Sequence, residues 1–292
     1  MLFAGIAVVF FLQLKKTNFS FEFVELRHPF LFLLAFILMP FNWLCEWRKW
    51  KITLQVAEVR STNIVAFNAF LAGIVSGMLT PNMLGNFIGR IFYFQRRDRV
   101  AITVLTLFSN YAQFAMSIII GIVCILILNE TPFGEIPIFF SWIALPIIFV
   151  VFVLYFYFDF FFVKIFKRRM RILKLKGNYR FLSNFHWKVF LWSLLRLVIF
   201  ALQFYLVIIA FGGSFTLDLL LWIGQYYLWV TLAPSLFFGK IIIRDSIAIW
   251  VLSLLVIDSN TIVAASFSIW IINLFLPTLF SILFLRSKKV LS

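Results

Sequence analysis

The sequence predicts an all-α polytopic membrane protein: about six full spans plus two Pro/Gly-broken, re-entrant hairpins, arranged as an inverted repeat. Three observations predict it. Hydrophobic residues make up 64% of the chain and charged residues 13%, against roughly 45–50% and 25% in soluble domains. Long apolar runs alternate with short polar loops, without the period-two pattern of a membrane barrel. Two apolar regions are broken by Pro and Gly where an ordinary span would continue. With so little charge to cover a surface, the 41 Phe and 10 Trp need lipid as their solvent.

The first apolar run, Met1 to Leu14, is shorter than the roughly 20 residues of a full span. Lacking a basic start and a small-residue cleavage site, it reads as a first helix rather than a signal peptide. A second helix is expected from Pro29 to Leu44, and longer spans at about 101–128, 136–163, 187–211 and 262–285. Pro40, Pro146 and Pro277 fall inside these runs and should kink them.

The broken regions are 63–94, interrupted at Pro81 and Gly85, and 215–257, interrupted at Pro234 and Gly239. Arms of about 12 to 17 residues rising about 1.5 Å each mostly fall short of a hydrocarbon core about 30 Å thick. A re-entrant hairpin fits such arms, and two ordinary spans are the alternative. Ala69, Gly73 and Gly77 on one arm, and Gly85 and Gly89 on the other, have the four-residue spacing that lets helices approach closely.

The net charge of +15 is spread over loops, so it marks topology and attraction to anionic lipid rather than nucleic-acid binding. Lys164, Lys167, Arg168, Arg169, Arg171, Lys174, Lys176, Arg180 and Lys188 stand in one stretch without an acid, which is expected in the cytoplasm. The linkers near 130–135, 212–216 and 258–260 carry no basic residue and belong outside. Arg286, Lys288 and Lys289 put the C-terminus inside. Arg48, Lys49 and Lys51, and then Arg96, Arg97 and Arg99, both lie inside only if the first broken region is a hairpin.

The chain thus divides into repeat one, about 1–128, and repeat two, about 136–285, joined by a short non-cytoplasmic linker. Each break has a Pro, a Gly four or five residues on, and an Arg about five beyond: Pro81, Gly85, Arg90 and Pro234, Gly239, Arg244. Discontinuous helices at matching positions of an inverted repeat point to a transporter's central site, and half-helix N-termini aimed there favour an anionic group.

The segment from Gly73 to Arg99, with its Pro-x-x-x-Gly-x-x-x-x-Arg core, resembles the lysylphosphatidylglycerol synthase transmembrane-region family, also called flippase-like. Asn42-Trp43-Leu44-Cys45-Glu46-Trp47-Arg48 is similar to the family's Arg-Trp element, and the run from Pro234 to Asp245 to a degenerate second-half motif with Asp245 in place of Glu. Two features depart from the pattern. Gly239 alone stands for the second glycine run, and Ser109, Asn110 and Gln113 stand where acidic positions are common. The resemblance implies a module that moves or handles lipid, in a bacterial cytoplasmic membrane. The soluble domain that makes aminoacyl lipids in the best-known members is not expected here, because the chain ends at Ser292 just after the last span.

The expected headgroup contacts are Arg90 and Arg244, each following a break, with Asn82 and Asp245 beside them. A guanidinium offers paired donors suited to phosphate. Arg90 could instead join the Arg96–Arg99 group, and Arg244 could pair locally with Asp245. Arg196 lies inside an apolar helix and shares a face with Ser193 and Gln203. It reads as a headgroup contact or as a snorkelling or paired Arg. Asn110 with Gln113, and Gln225 with Trp229, read as bridges between helices. Neither Cys45 and Cys124 nor His28 and His186 suggest a disulfide or metal site, and no cofactor is implied.

The function expected is therefore a non-enzymatic translocase for an anionic phospholipid or polyprenyl phosphate. The alternative is an accessory subunit that engages a partner enzyme of envelope synthesis through the basic 164–188 loop. An intramembrane enzyme on lipid phosphates is less favoured, because Asp245 is the only acid expected near the site and no carboxylate pair stands out.

Overall fold

The computed structural model describes residues 24–59, 61–80, 85–157, 179–233, 239–255 and 257–285. The predicted first helix, Pro81, Asn82, Pro234, the basic residues from Lys164 to Lys176 and those after Leu285 lie outside the described residues.

Helix α1 spans Pro29–Val56, α2 Asn63–Met78, α3 Asn86–Ile91 and α4 Arg96–Leu128. A two-residue hairpin, β1 Glu130–Thr131 with β2 Gly134–Glu135, leads to α5, Ile138–Phe156. Then come α6 Tyr179–Ala210, α7 Leu217–Leu232, α8 Gly239–Leu252, α9 Ser259–Trp270, a π-helical turn Ile271–Phe275 and α10 Leu276–Phe284. Among the described residues four helices are long and apolar enough to cross a membrane: Pro29–Val56, Arg96–Leu128, Asn184–Ala210 and Ser259–Phe284.

Local chemistry accounts for several boundaries. Thr62 caps α2 by accepting from the Val65 N–H, and Thr216 caps α7 by accepting from the Leu219 N–H. These two helices open the two broken regions, and each is 16 residues long. Gly212, at a φ of +104°, lets the chain leave α6, with Gly213 N–H donating to Ile208 O at 3.0 Å. Just before Pro277 the helix widens into the π-helical turn, in which Leu276 N–H reaches back to Ile271 O.

Two expectations about length change. The second helix does not stop at Leu44 but runs to Val56, because Trp50, Leu54 and Val56 continue its buried stripe and Glu46 is paired with Lys49, Arg90 and Arg196. The second arm of the first break is six residues, not a dozen. It ends at the turn through Phe92 to Phe94, whose Phe94 carbonyl accepts from Arg99 Nε at 3.1 Å.

The described residues fall into two compact units. One takes them from Met1–Asn42, Ser117–Pro146 and Leu197–Leu276, and the other from Trp43–Met116, Ile147–Arg196 and Pro277–Ser292. In the first, α8 packs on α7 and α9, and Leu219, Ile223, Tyr226, Ile249 and Ile262 are buried. In the second, α2 packs on α3. Trp50, Leu54, Phe70, Leu71 and Ile102 form one of its cores, and Phe108, Tyr155, Phe185 and Val189 belong to another.

Candidate functional site

Within the second unit, a carboxylate is surrounded by cations. Glu46 and Lys49, on α1, share a face, with Lys49 Nζ 3.4 Å from Glu46 Oε2. Helix α3 brings Arg90, whose Nη2 lies 3.1 Å from Glu46 Oε1. Helix α6 brings Arg196, whose Nη1 lies 2.9 Å from Glu46 Oε2. Both carboxylate oxygens are engaged, and one negative charge serves three positive ones. Side-chain exposure is 1% at Lys49, 3% at Arg90 and 19% at Arg196. The cluster is therefore shut around Lys49 and Arg90 and most open at Arg196.

Arg90 is seated by its surroundings. Its guanidinium lies over the Trp50 ring, 4.7 Å from the centroid, and 5.9 Å from that of Phe70. Trp50 is fixed in turn by donating Nε1–H to Ala66 O at 2.9 Å. A Cβ on Gly73 would come within 2.6 Å of Arg90 Nε, so the missing side chain of Gly73 is the space Arg90 occupies. Arg90 Nε has no hydrogen-bond partner among the described residues.

The α2–α3 contact holds that geometry. A Cβ on Gly89 would run into the Ala72 carbonyl, so the two backbones touch there. Ser76 Oγ donates to Gly85 O at 3.0 Å and accepts from Gly89 N–H at 3.1 Å. Thr80 Oγ1 accepts from Gly85 N–H at 2.8 Å. The Asn86 and Asn110 amides exchange two hydrogen bonds of 3.1 Å, tying α3 to α4.

The first unit carries a separate polar chain without charge. Asn42 Nδ2 donates to Asn273 Oδ1 at 2.9 Å, Asn273 Nδ2 to Gln203 Oε1 at 3.0 Å, and Gln203 Nε2 to Ala35 O at 2.9 Å. Asn273 sits in the π-helical turn. Nearby in sequence to the second break, Arg244 Nε donates to Tyr226 Oη at 3.3 Å. Asp245 is 6% exposed and faces Ser266, while its Oδ1 has no partner in hydrogen-bonding geometry among the described residues.

Of the residues expected at the site, Arg90 and Arg196 come together on one carboxylate. Ser193 is buried, and Gln203 belongs to the amide chain. Gly85 and Gly89 serve the α2–α3 contact, and Gly239 opens α8. Arg90 does not join the Arg96–Arg99 group. Lys49, expected in a loop cluster, is buried, because helix α1 continues past it. The carboxylate that Arg90 and Arg196 share is Glu46, which was passed over within a motif read as a helix end. Its signal was present as a Glu and a Lys three apart, flanked by Trp47 and Trp50. Asn273 was likewise missed. Gln225 ties α7 to the β1–β2 hairpin rather than to another helix, donating Nε2–H to Glu130 O at 2.8 Å.

An all-α membrane protein with three cations on one carboxylate, two of them buried, is the class this geometry defines. The chain belongs to the family described as lysylphosphatidylglycerol synthase TM region, which it matches over residues 1–281. No curated protein and no solved structure matches it.

Proposed function

We propose that the protein is a lipid translocase that carries an anionic phospholipid or polyprenyl phosphate across a bacterial cytoplasmic membrane, with its C-terminus in the cytoplasm. The observation that carries this reading is the excess of positive charge around Glu46, buried among apolar helices. A charge in that setting is costly unless matched, and an anionic headgroup supplies the match. The family's association with membrane lipid agrees with it. Matching Thr caps and equal lengths of α2 and α7 support an inverted repeat with two re-entrant hairpins. Movement down the lipid's own gradient suffices, without an enzymatic step.

The test is lipid flipping in proteoliposomes, with fluorescent phosphatidylglycerol and a neutral lipid as probes. Wild type is compared with Arg90→Lys, Arg90→Ala and Arg244→Ala. Faster flipping of the anionic probe, lost in Arg90→Ala, is the expected result. Well-folded protein that flips nothing would point instead to an accessory subunit.

A further inference from the structure

The first unit holds a buried carboxylate that the Glu46 cluster does not use. Asp245, on α8, is 6% exposed, and its Oδ1 has no hydrogen-bond partner among the described residues. It faces Ser266 on α9, which is 1% exposed and whose Oγ is likewise without a partner among them. Arg244, the preceding residue, turns to the other neighbour of α8 and donates Nε–H to Tyr226 Oη on α7 at 3.3 Å. It acts on Asp245 by charge but forms no ion pair with it among the described contacts. The phenols of Tyr226 and Tyr227 face Arg244, while Asp218 on α7 and Asp258 at the α9 cap are exposed. An ionised carboxylate in this setting is costly, because burial without a full set of partners removes its hydration. A protonated one is neutral and has an O–H to donate, and Ser266 Oγ is the acceptor it faces.

We propose that Asp245 is a reversible proton-binding site, and that it takes up its proton together with the anion that binds Arg244. The inference rests on the anionic-headgroup reading above and adds a second ligand, a proton, to it. Its sign follows from linkage. With Arg244 free, that cation favours the ionised form of Asp245. An anion on Arg244 cancels the charge, so Asp245 holds its proton more tightly. By reciprocity the protonated protein binds the anion more tightly in turn. The proton comes from water and adds to a carboxylate oxygen, and the new O–H donates to Ser266 Oγ. On release of the anion it returns to water. The lipid's own gradient still suffices for movement, and the proton makes that movement pH-dependent.

The experiment follows the carboxyl C=O stretch of the purified protein by difference infrared spectroscopy between about pH 5 and 8, where a solvated Asp is largely ionised. Wild type should show a protonated carboxyl that titrates in this range, and Asp245→Asn should lose it. Dioctanoyl phosphatidylglycerol, whose phosphodiester keeps one negative charge throughout, is then added in weak buffer with a pH indicator, and its binding is read by native mass spectrometry. Wild type should take up protons and bind this lipid about tenfold more tightly at the acid end. Arg244→Gln should keep a titrating carboxyl and lose the proton uptake. Asp245→Asn should bind with the acid-end affinity at every pH. Absence of an Asp245-dependent carboxyl signal overturns the proton site, and lipid binding without proton uptake by wild type overturns the linkage. A titrating Asp245 in protein that binds and flips no anionic lipid supports the proton site and overturns the translocase reading instead.

Discussion

Arg196 Nη1 and Glu46 Oε2 lie 2.9 Å apart, although 150 residues of chain separate them. The contact makes Glu46 the hub of the second unit's ion cluster. Through it α1 is joined to α3 by Arg90 and to α6 by Arg196. Charge here has a structural duty as well as a proposed binding one, and the two can be separated by mutation.

Removing the hub should be far worse than removing a spoke. Glu46→Ala leaves two buried cations, Lys49 and Arg90, and the part-exposed Arg196 without their carboxylate, and loss of one partner from a buried ion pair costs about 3–5 kcal/mol. Glu46→Gln keeps the shape and one acceptor and should cost less. Thermal unfolding in detergent, followed by loss of monodisperse protein, should rank wild type above Gln and Gln above Ala. A Glu46→Ala protein as stable as wild type contradicts the hub role.

Gly89 and Gly73 should respond differently to the same added methyl. At Gly89 the new Cβ meets the Ala72 backbone, which cannot turn aside. Overpacking of this kind costs about 1–3 kcal/mol, so Gly89→Ala should lower the unfolding temperature. At Gly73 the nearest atom belongs to the Arg90 side chain. Gly73→Ala should therefore displace Arg90 from Glu46 and reduce anionic-lipid flipping more than stability. The check is both variants in both assays.

Much of the architecture was legible because lipid imposes a simple rule on composition. The all-α membrane character and the long apolar helices follow from apolar run length, and Arg90 and Arg196 stand out because a buried charge is costly. Glu46 and Lys49 were not legible for the same reason. A run of Glu, Arg, Lys and Lys within 46–51 looks like a helix leaving the membrane, and only Arg90 and Arg196, from distant segments, make it tolerable inside. Asn273 was hidden because its partners, Asn42 and Gln203, are remote in sequence. The six-residue α3 was overestimated because its length is set by the Ser76, Thr80 and Asn110 contacts rather than by periodicity.

The neutral amide chain offers a test of pairwise coupling. Gln203→Leu and Asn273→Leu each break the Asn273-to-Gln203 bond of 3.0 Å. Interhelical hydrogen bonds in membrane proteins average about 0.6 kcal/mol by double-mutant cycle, with an upper value near ~1.7 kcal/mol. The double variant should be less destabilised than the sum of the singles by about that amount, measured by unfolding in mixed detergent micelles.

Phe133, at the tip of the β1–β2 hairpin, packs edge-on against Trp229 at 5.8 Å and Trp250 at 5.0 Å. Each such aromatic pair is worth about 0.5–1.5 kcal/mol. Phe133→Ala should uncover the two indoles, shifting tryptophan emission to longer wavelength with a small loss of stability and no change in lipid selectivity. Unaltered emission would mean the ring shields neither indole.

The ion cluster also orders the protein's biosynthesis. Glu46, Lys49 and Arg90 leave the ribosome early, and Arg196 follows about a hundred residues later, a delay of roughly 5–20 s at ordinary translation speed. Until then the nascent chain holds two cations on the carboxylate and lacks the third, so the site cannot reach its final charge in a half-made protein. A chain arrested before α6 lacks Arg196 and with it the contact that ties α6 to Glu46.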